Sequence, residues 1–480
     1  MNLDRQVCSR ARLTRDARFD GKFFIAVLST GIYCRPICPS RSSKESNVRY
    51  YRTAAAAAEA GFRPCLRCRP ECSPGTPAWL GTPSTVSRAL RLISEGGLEE
   101  GGVELLAERL GVGSRHLRRL FLRHLGATPS AVAQTRRLHF AKKLIDETRL
   151  PMKEVAMAAG FGCVRRFNAA IRKVYRRPPT ELRELAKHAA MLPDNQYLFH
   201  LRYRPPYHWK AMLEFLKAHA VPGIETVEGD CWRRTISMKG ADGYLAVSQD
   251  KEEDSLNLRL GFDDPRMLYA ISERVRRMFD LNADWSAIVG SLRGDPLMSE
   301  RLKAGMGVRV PGAWDGFELA VRALLGEHIA PTGPYEILGR LAERFGKGVS
   351  PCGGESRLFP TAAVLAKCDL TAIGATRVQA KAVGLLAQAV AREEIRFEGM
   401  ADADLLMARL GELPGMRRST LSYIAMRALG DTDAFPTEPG TWDELERRAE
   451  AWRPWRTYAA MYLWGMERGS ELGGLANASD

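Results

Sequence analysis

The 480-residue sequence has no apolar run of about 18 residues, the least that crosses a membrane as a helix, so no spanning segment is expected. Its charged N-terminus has no apolar core of the signal-peptide type, so export is not expected either. Cysteines are few, ten in all. Most are scattered without pairing, which suits a reducing cytoplasm better than a disulfide framework. Acidic residues are scarce in one half only. Residues 1–190 carry 35 Lys+Arg against 16 Asp+Glu, a net of +19, while the remainder carries 36 against 40. An excess so concentrated is the footprint of a phosphate-binding surface; a basic face kept for solubility is the alternative that charge alone leaves open.

The length suggests about three domains. Residues 73–84 hold three prolines and two glycines and cannot continue a helix. A second break falls near residue 190, where Leu192-Pro193-Asp194-Asn195 precedes a strand-like pattern. The Ala54 to Ala58 run sits in a short helix-forming stretch and requires no function.

Four cysteines depart from the scatter: Cys34-x3-Cys38, then Cys65-x2-Cys68. A close thiolate pair from each of two turns is how a chain surrounds tetrahedral Zn²⁺. Spacing alone fits a scaffolding zinc site as well as a reactive one. Arg35 lies inside the first pair and Arg67 inside the second, with Arg63, Arg69 and Arg41 nearby, and a scaffold has no need of them. Cys72, just beyond Cys68, is a possible substitute ligand. Cys8, Cys163, Cys231, Cys352 and Cys368 are expected to be buried or incidental.

The wider strings, Thr30-Gly31-Ile32-Tyr33-Cys34-Arg35-Pro36-Ile37-Cys38 and Ala60-Gly61-Phe62-Arg63-Pro64-Cys65-Leu66-Arg67-Cys68, closely resemble the N-terminal domain of the Ada family. The resemblance implies repair of DNA methyl phosphotriesters, with Cys34 as the methyl acceptor and Cys38, Cys65 and Cys68 as the other zinc ligands. Zinc keeps sulfur as a thiolate at neutral pH, so a nucleophile exists without a general base. Methylation removes one negative charge from the cluster and with it some repulsion from the DNA backbone.

Between residues 85 and 190 the apolar period is helical throughout. Val103 to Leu110 leads through Gly111-Val112-Gly113 to a helix with Arg115, His116, Arg118, Arg119 and Phe121, with Ser114 placed to cap it. Met152 to Ala159 leads through Gly160-Phe161-Gly162 to a helix with Arg165, Arg166, Phe167 and Asn168. These read as two helix-turn-helix units whose second helices present Arg and Asn to major grooves. Phe121, Phe161 and Phe167 are expected in the core. With Tyr175 and Pro178 through Arg183, the pattern resembles the AraC-type DNA-binding domain.

From residue 197 the sequence alternates as a strand to Tyr203, then reads as an amphipathic helix from Trp209 to Ala220; helices dominate beyond about residue 315. Arg204-Pro205-Pro206-Tyr207-His208-Trp209, Val321 to Gly326, and Trp452 to Ala459 resemble the AlkA family of 3-methyladenine DNA glycosylases. No Pro-Cys-His-Arg string occurs, so Ada's second methyltransferase domain is not expected. The resemblance implies flipping of an alkylated purine into an aromatic pocket, with a carboxylate stabilising the cationic sugar. Three pieces differ from the family. Arg417 replaces the second glycine of the hairpin Leu413-Pro414-Gly415-Met416-Arg417, whose backbone binds phosphate. Ser419 replaces a pocket tryptophan, leaving Tyr423 and Trp464. Glu438, on a shortened loop, stands nearest the family's catalytic aspartate, with Asp433 the next candidate; His328 lies near the duplex-wedging position.

The expected fold class is multidomain α+β: a zinc-binding α/β domain at 1–76, an all-α double helix-turn-helix domain at 85–190, an α+β domain at 197–310 and a helical helix-hairpin-helix glycosylase-like domain at 311–470. The expected DNA-binding residues are Arg35, Arg67, Arg115, Arg118, Arg119, Arg165, Arg166, Asn168 and Gly415, with Cys34 and Glu438 catalytic. The cofactor is Zn²⁺, and the partners are double-stranded DNA, alkylated or promoter, with RNA polymerase a candidate; no membrane is expected. The function is a cytoplasmic, stoichiometric phosphotriester methyltransferase and activator joined to a 3-methyladenine glycosylase; the alternative is a methylation-sensing activator whose last module is inert.

Overall fold

A computed structural model of the chain describes residues 4–75, 84–94, 96, 98, 101–186, 192–326, 335–349, 356–397, 403–436 and 443–466. Contacts divide it into two units, the first made of residues 1–205, 237–276 and 281–283, the second of 206–236, 277–280 and 284–480. The fold class is the expected multidomain mixture of helices and α+β elements.

In the first unit, strand Phe24–Val27 lies between Val48–Tyr51 and Ile32–Cys34, antiparallel to both, and Arg63–Pro64 adds in parallel to Ile32–Cys34. Alternation along the central strand feeds two small cores. Ile25 and neighbouring Phe23 join Cys8, Ala11 and Val48 on one face; Phe24 and Ala26 join Tyr33 and Ala57 on the other. Helix Arg5–Thr14 begins at Asp4, whose carboxylate accepts the amides of Gln6 and Val7.

The alanine run forms helix Ala54–Glu59, capped by the Thr53 hydroxyl. Ala55 and Ala56 pack in the same core as Leu106, Leu117 and Phe121 of the helical region. Small side chains allow this close approach: a Cβ on Gly126 would lie 3.3 Å from that of Ala56. The alanine run, for which the sequence predicts no function, is a packing face.

Seven helices follow among the described residues, from Ser84–Ser94 to Pro179–Glu184, including the pairs Gly102–Arg109 with Ser114–Leu125 and Met152–Ala158 with Val164–Tyr175. Ser114 does not cap its helix. It is the first helical residue, and Gly113 stands at the cap with no side-chain bond. Phe121 and Phe167 are fully buried and Phe161 nearly so, because each closes its unit's core. Strands Gln196–Arg202, Ser255–Phe262 and Ala241–Gln249 pair antiparallel in that order, with Tyr197, Phe199 and Leu201 turned inward.

The second unit is built around helix Gly316–Leu324, every residue of which from Phe317 onward is buried. Glu318 and Arg322, one turn apart on it, ion-pair with each other, with Arg234 at 2.7 Å and with Glu225 at 3.3 Å. Glu225 and Arg234 are cross-strand partners in a hairpin. Helix Trp209–Ala218 stops at His219, two residues earlier than the pattern suggested. Helices Ala403–Gly411 and Arg418–Ile424 form the helical hairpin, and Arg456–Met466 is the last described element.

Candidate metal centre and nucleic-acid interface

Four sulfurs converge where two strand ends meet. Cys34 ends strand Ile32–Cys34, and Cys38 returns through a turn in which its amide donates to the Arg35 carbonyl, 3.1 Å away. Cys65 follows the parallel strand and donates its amide to the Tyr33 carbonyl at 3.0 Å; Cys68 lies one turn further. The four Sγ atoms all lie within 4.8 Å of one another. Tetrahedral zinc with four thiolates needs sulfurs about 3.8 Å apart, so the donor set fits the ion. Without a cation the sulfurs share protons. Donation from Cys34 first, then Cys65 and Cys68, favours the Cys38 thiolate, while the bond to Cys38 pushes the Cys34 thiol up. A divalent cation removes this competition and releases protons, as thiolate metal sites do.

Cys65 and Cys68 are buried, whereas Cys34 and Cys38 reach the surface. Cys72 is not in the group: it ends the short helical turn Pro70–Cys72, and burial raises its thiol above the usual range. Burial likewise pushes the Cys8 thiol up to about 11. Cys163 is exposed, Cys231 and Cys368 are half-buried, and Cys352 lies outside the described residues.

Arg35 requires a correction as a DNA contact. It is only 3% exposed, its guanidinium forked onto the Asp20 carboxylate and its Nη1 donating to the Cys68 carbonyl at 3.0 Å. Its amide points at the Cys68 sulfur, 3.4 Å away. Arg35 therefore braces the site. Arg69 is also structural: it meets Asp146 at 2.7 Å, within a cluster of Glu71, Lys142, Lys143 and Glu147. Burial opposes ionisation of Glu71, yet Lys142 and Arg69 hold its carboxyl below the usual value. Arg41 and Arg67 are exposed and Arg63 half-buried. Beside the cluster, the Tyr33 hydroxyl lies 2.9 Å from Nε2 of His139, whose pKa burial pushes down to about 4. Sequence reasoning missed Asp20, Tyr33 and His139, which carry no spacing signal.

The helix-turn-helix candidates divide as amphipathic recognition helices should. Arg115, Arg118, Arg119, Arg165 and Arg166 are exposed and Asn168 half-exposed, opposite Leu117, Phe121, Phe167 and Ile171 in the core. Arg118 meets Glu104 at 3.1 Å on the surface, and His116 lies 3.0 Å from Arg119.

In the second unit the hairpin glycine, Gly415, is exposed with φ +79°. A Cβ there would meet only ordinary contacts, so backbone sign rather than space calls for glycine. Arg417 has φ −82° and ψ 162°, an extended conformation open to any residue, which explains how it replaces a glycine. Tyr423 and Trp464 do meet, with ring centroids 6.4 Å apart, and Ser419 is buried. Arg427 lies over Tyr423 and bonds its hydroxyl. Asp433 is held by Arg453 and Arg456, the latter at 2.9 Å, which suits it to bracing a loop. Glu438 and His328 lie outside the described residues. No described helix is long and apolar enough to cross a membrane.

Family models match in three places: the metal binding domain of Ada over residues 7–71, a helix-turn-helix domain over 106–185, and the AlkA N-terminal domain over 198–315. The chain is 37% identical over 481 residues to a probable bifunctional transcriptional activator/DNA repair enzyme AlkA of Mycobacterium tuberculosis, covering 97% of each. It is 30% identical to DNA-3-methyladenine glycosylase 2 of Escherichia coli, over 56% of this chain and 98% of that one. With the bifunctional transcriptional activator/DNA repair enzyme Ada of the same organism it shares 39% identity over 25% of this chain and 33% of that one.

The metal centre makes a direct prediction. Replacing Cys38, Cys65 or Cys68 by Ser abolishes stoichiometric zinc, measured by elemental analysis of the purified chain, whereas Cys72→Ser retains it. Zinc affinity rises with pH, because each thiol must lose its proton to bind. Loss of zinc in the Cys72 variant would make Cys72 a ligand.

Proposed function

Because the chain belongs to the family of bifunctional transcriptional activators and DNA repair enzymes that join an Ada-type metal domain and a helix-turn-helix domain to an AlkA-type region, we propose that it repairs alkylated DNA in two chemistries and reports one of them to promoters. The observation that carries this is the four-sulfur group with Cys34 at its accessible edge. Zinc bound there supplies sulfur as thiolate at neutral pH. Cys34 Sγ attacks the methyl carbon of a phosphotriester; the S–C bond forms as the C–O bond breaks, and the phosphodiester leaves with the electron pair as a stable anion, needing no proton. Accessibility limits the acceptor to Cys34 or Cys38, and the resemblance of the flanking string to the Ada family assigns it to Cys34. The reaction consumes the chain, so it is stoichiometric. Loss of one negative charge then strengthens DNA binding. Nine free cysteines among the described residues support a reducing cytoplasm, and RNA polymerase is the partner an activator needs.

Mass spectrometry after incubation with methyl-phosphotriester DNA is expected to find one added methyl per chain, on the Cys34 peptide, and none in Cys34→Ser. Methyl on Cys38 in the wild type would reassign the acceptor.

Arg165, Arg166 and Asn168 on one recognition helix, and Arg115, Arg118 and Arg119 on the other, are the base and phosphate contacts we assign. Substituting Arg165 or Asn168 by Ala is expected to cost about 1–3 kcal/mol at a specific site and to relax preference at one base position, read by binding selection. Uniform weakening across sequences would make them phosphate contacts.

The second chemistry is excision of alkylated purines such as 3-methyladenine, with Tyr423 and Trp464 stacking the cationic base and Glu438 stabilising the sugar cation. Glu438→Gln is expected to slow release of 3-methyladenine roughly 100- to 1,000-fold with little change in DNA affinity. Equal rates would remove Glu438 from catalysis. No release from either protein would favour an inert module, a reading to which the engagement of Asp433 by two arginines already lends weight.

A further inference from the structure

The turn Asp20-Gly21 beside the metal centre is gripped from two directions. From one side Arg35 binds the Asp20 carboxylate and reaches the Cys68 carbonyl and sulfur. From the other, Arg204 donates Nε to the Asp20 carbonyl at 2.7 Å. Arg204 is 1% exposed and spends its remaining donors on the carbonyls of Gly75 and Asn282, the latter at 2.7 Å. The Asn282 side chain in turn accepts the Gly75 amide at 3.0 Å and Arg276 at 2.6 Å. Space is as tight as the bonding: a Cβ on Gly21 would fall 2.1 Å from the Pro74 carbonyl oxygen and 3.1 Å from Arg204.

Arg204, Arg276 and Asn282 all lie in the AlkA-type segment, residues 198–315, whereas Asp20, Arg35 and the four clustered cysteines lie in the metal-binding segment, residues 7–71, and Gly75 just beyond it. We infer that Arg204 is a positioning residue for methyl transfer: the AlkA-type region completes the scaffold of the methyl-acceptor site by holding Asp20, through which Arg35 sets the Cys68 turn and the geometry of the sulfurs. A chain without residue 204 leaves the Asp20 and Gly75 carbonyls to water and frees the Asp20–Arg35 pair to swing. Three donors into three backbone carbonyls is a task for a guanidinium, which lysine meets only in part.

The inference rests on the methyl-transfer reading, and two measurements on the full-length protein separate them. Methyl transfer to Cys34 is timed in wild type, Arg204→Met, Arg204→Lys, Arg35→Met and the Arg35→Met/Arg204→Met double variant. Hydrogen exchange is followed by mass spectrometry in the peptide spanning residues 34–38. Arg204→Met is expected to slow transfer about 10- to 100-fold, the scale of a small misplacement of a reacting group, and to speed exchange at residues 34–38, with Arg204→Lys intermediate in both. Because Arg204 acts through Arg35, the double variant is expected to be no slower than Arg35→Met alone. Should Arg204→Met fail to fold, Arg204→Lys carries both measurements. Wild-type rate and exchange in the Arg204 variants, or additive losses in the double variant, would overturn the inference. Absence of transfer in the wild type would overturn the methyl-transfer reading instead, and exchange would still show whether Arg204 orders the site.

Discussion

Four sulfurs within 4.8 Å of one another cannot all ionise unless a divalent cation lies among them. That constraint governs both the fold and the chemistry of the N-terminal region. The two cores flanking strand Phe24–Val27 are small, with Cys8, Ala11, Phe23, Ile25 and Val48 on one side and Phe24, Ala26, Tyr33 and Ala57 on the other. Cores of that size need a staple. The same ion that supplies it holds sulfur as thiolate, so stability and nucleophilicity are two results of one coordination event.

Charge in this region serves two purposes that composition does not separate. Part of the positive excess faces solvent, as at Arg67, Arg115, Arg165 and Arg166. Another part turns inward. Arg35 is consumed by Asp20, Arg69 and Lys142 by Glu71 and Asp146, Lys143 by Glu147, and Arg204 by backbone carbonyls. Removing one partner of such a buried pair costs about 3–5 kcal/mol, because the survivor is left uncompensated. Inward cations are therefore tolerated only where geometry satisfies them fully, and here Arg69 with Asp146 and Lys142 with Glu71 tie the turn Pro70–Cys72 to helix Pro129–Glu147.

Local repeats of residue type were legible in the sequence; partnerships across sequence distance were not. The cysteine pairs are local, and so are the helical periods that separate buried Phe121 and Phe167 from exposed Arg118 and Arg165. The burial of Arg35 depends on Asp20, whose position relative to it is decided by the sheet, so proximity to a cysteine was misread as readiness to touch DNA. The alanine run looked idle because its role, close approach to Gly126, is visible only from the partner. Arg417 stands where the resemblance has a glycine, yet its φ of −82° requires none, and only the backbone shows that. Arg204 belonged to a motif that pointed to a different domain from the one whose backbone it binds.

A switch that works by removing one charge also needs rigidity. At physiological salt the field of a surface charge fades over about 8 Å, so a methylated sulfur alters DNA affinity only if the site is held within that distance of phosphate. A site on a loose tether would average its charge over many distances and report little. Here the strand carrying Cys34 is pinned at its neighbouring residue by the 2.9 Å contact of Tyr33 with His139, on helix Pro129–Glu147. The metal-binding region also reaches the end of the first recognition helix: the Thr53 hydroxyl donates to the Leu125 carbonyl at 2.9 Å and Arg52 donates to that of Arg123 at 3.0 Å. Glu59 accepts the Thr128 hydroxyl at 2.9 Å just beyond it. These bonds join the strand of Cys34 to helix Ser114–Leu125, the helix to which the proposed function gives major-groove contacts. Under the proposed function, a unit of negative charge removed at Cys34 would then be removed at a fixed place relative to that helix, which is what a short-ranged electrostatic change needs in order to alter affinity.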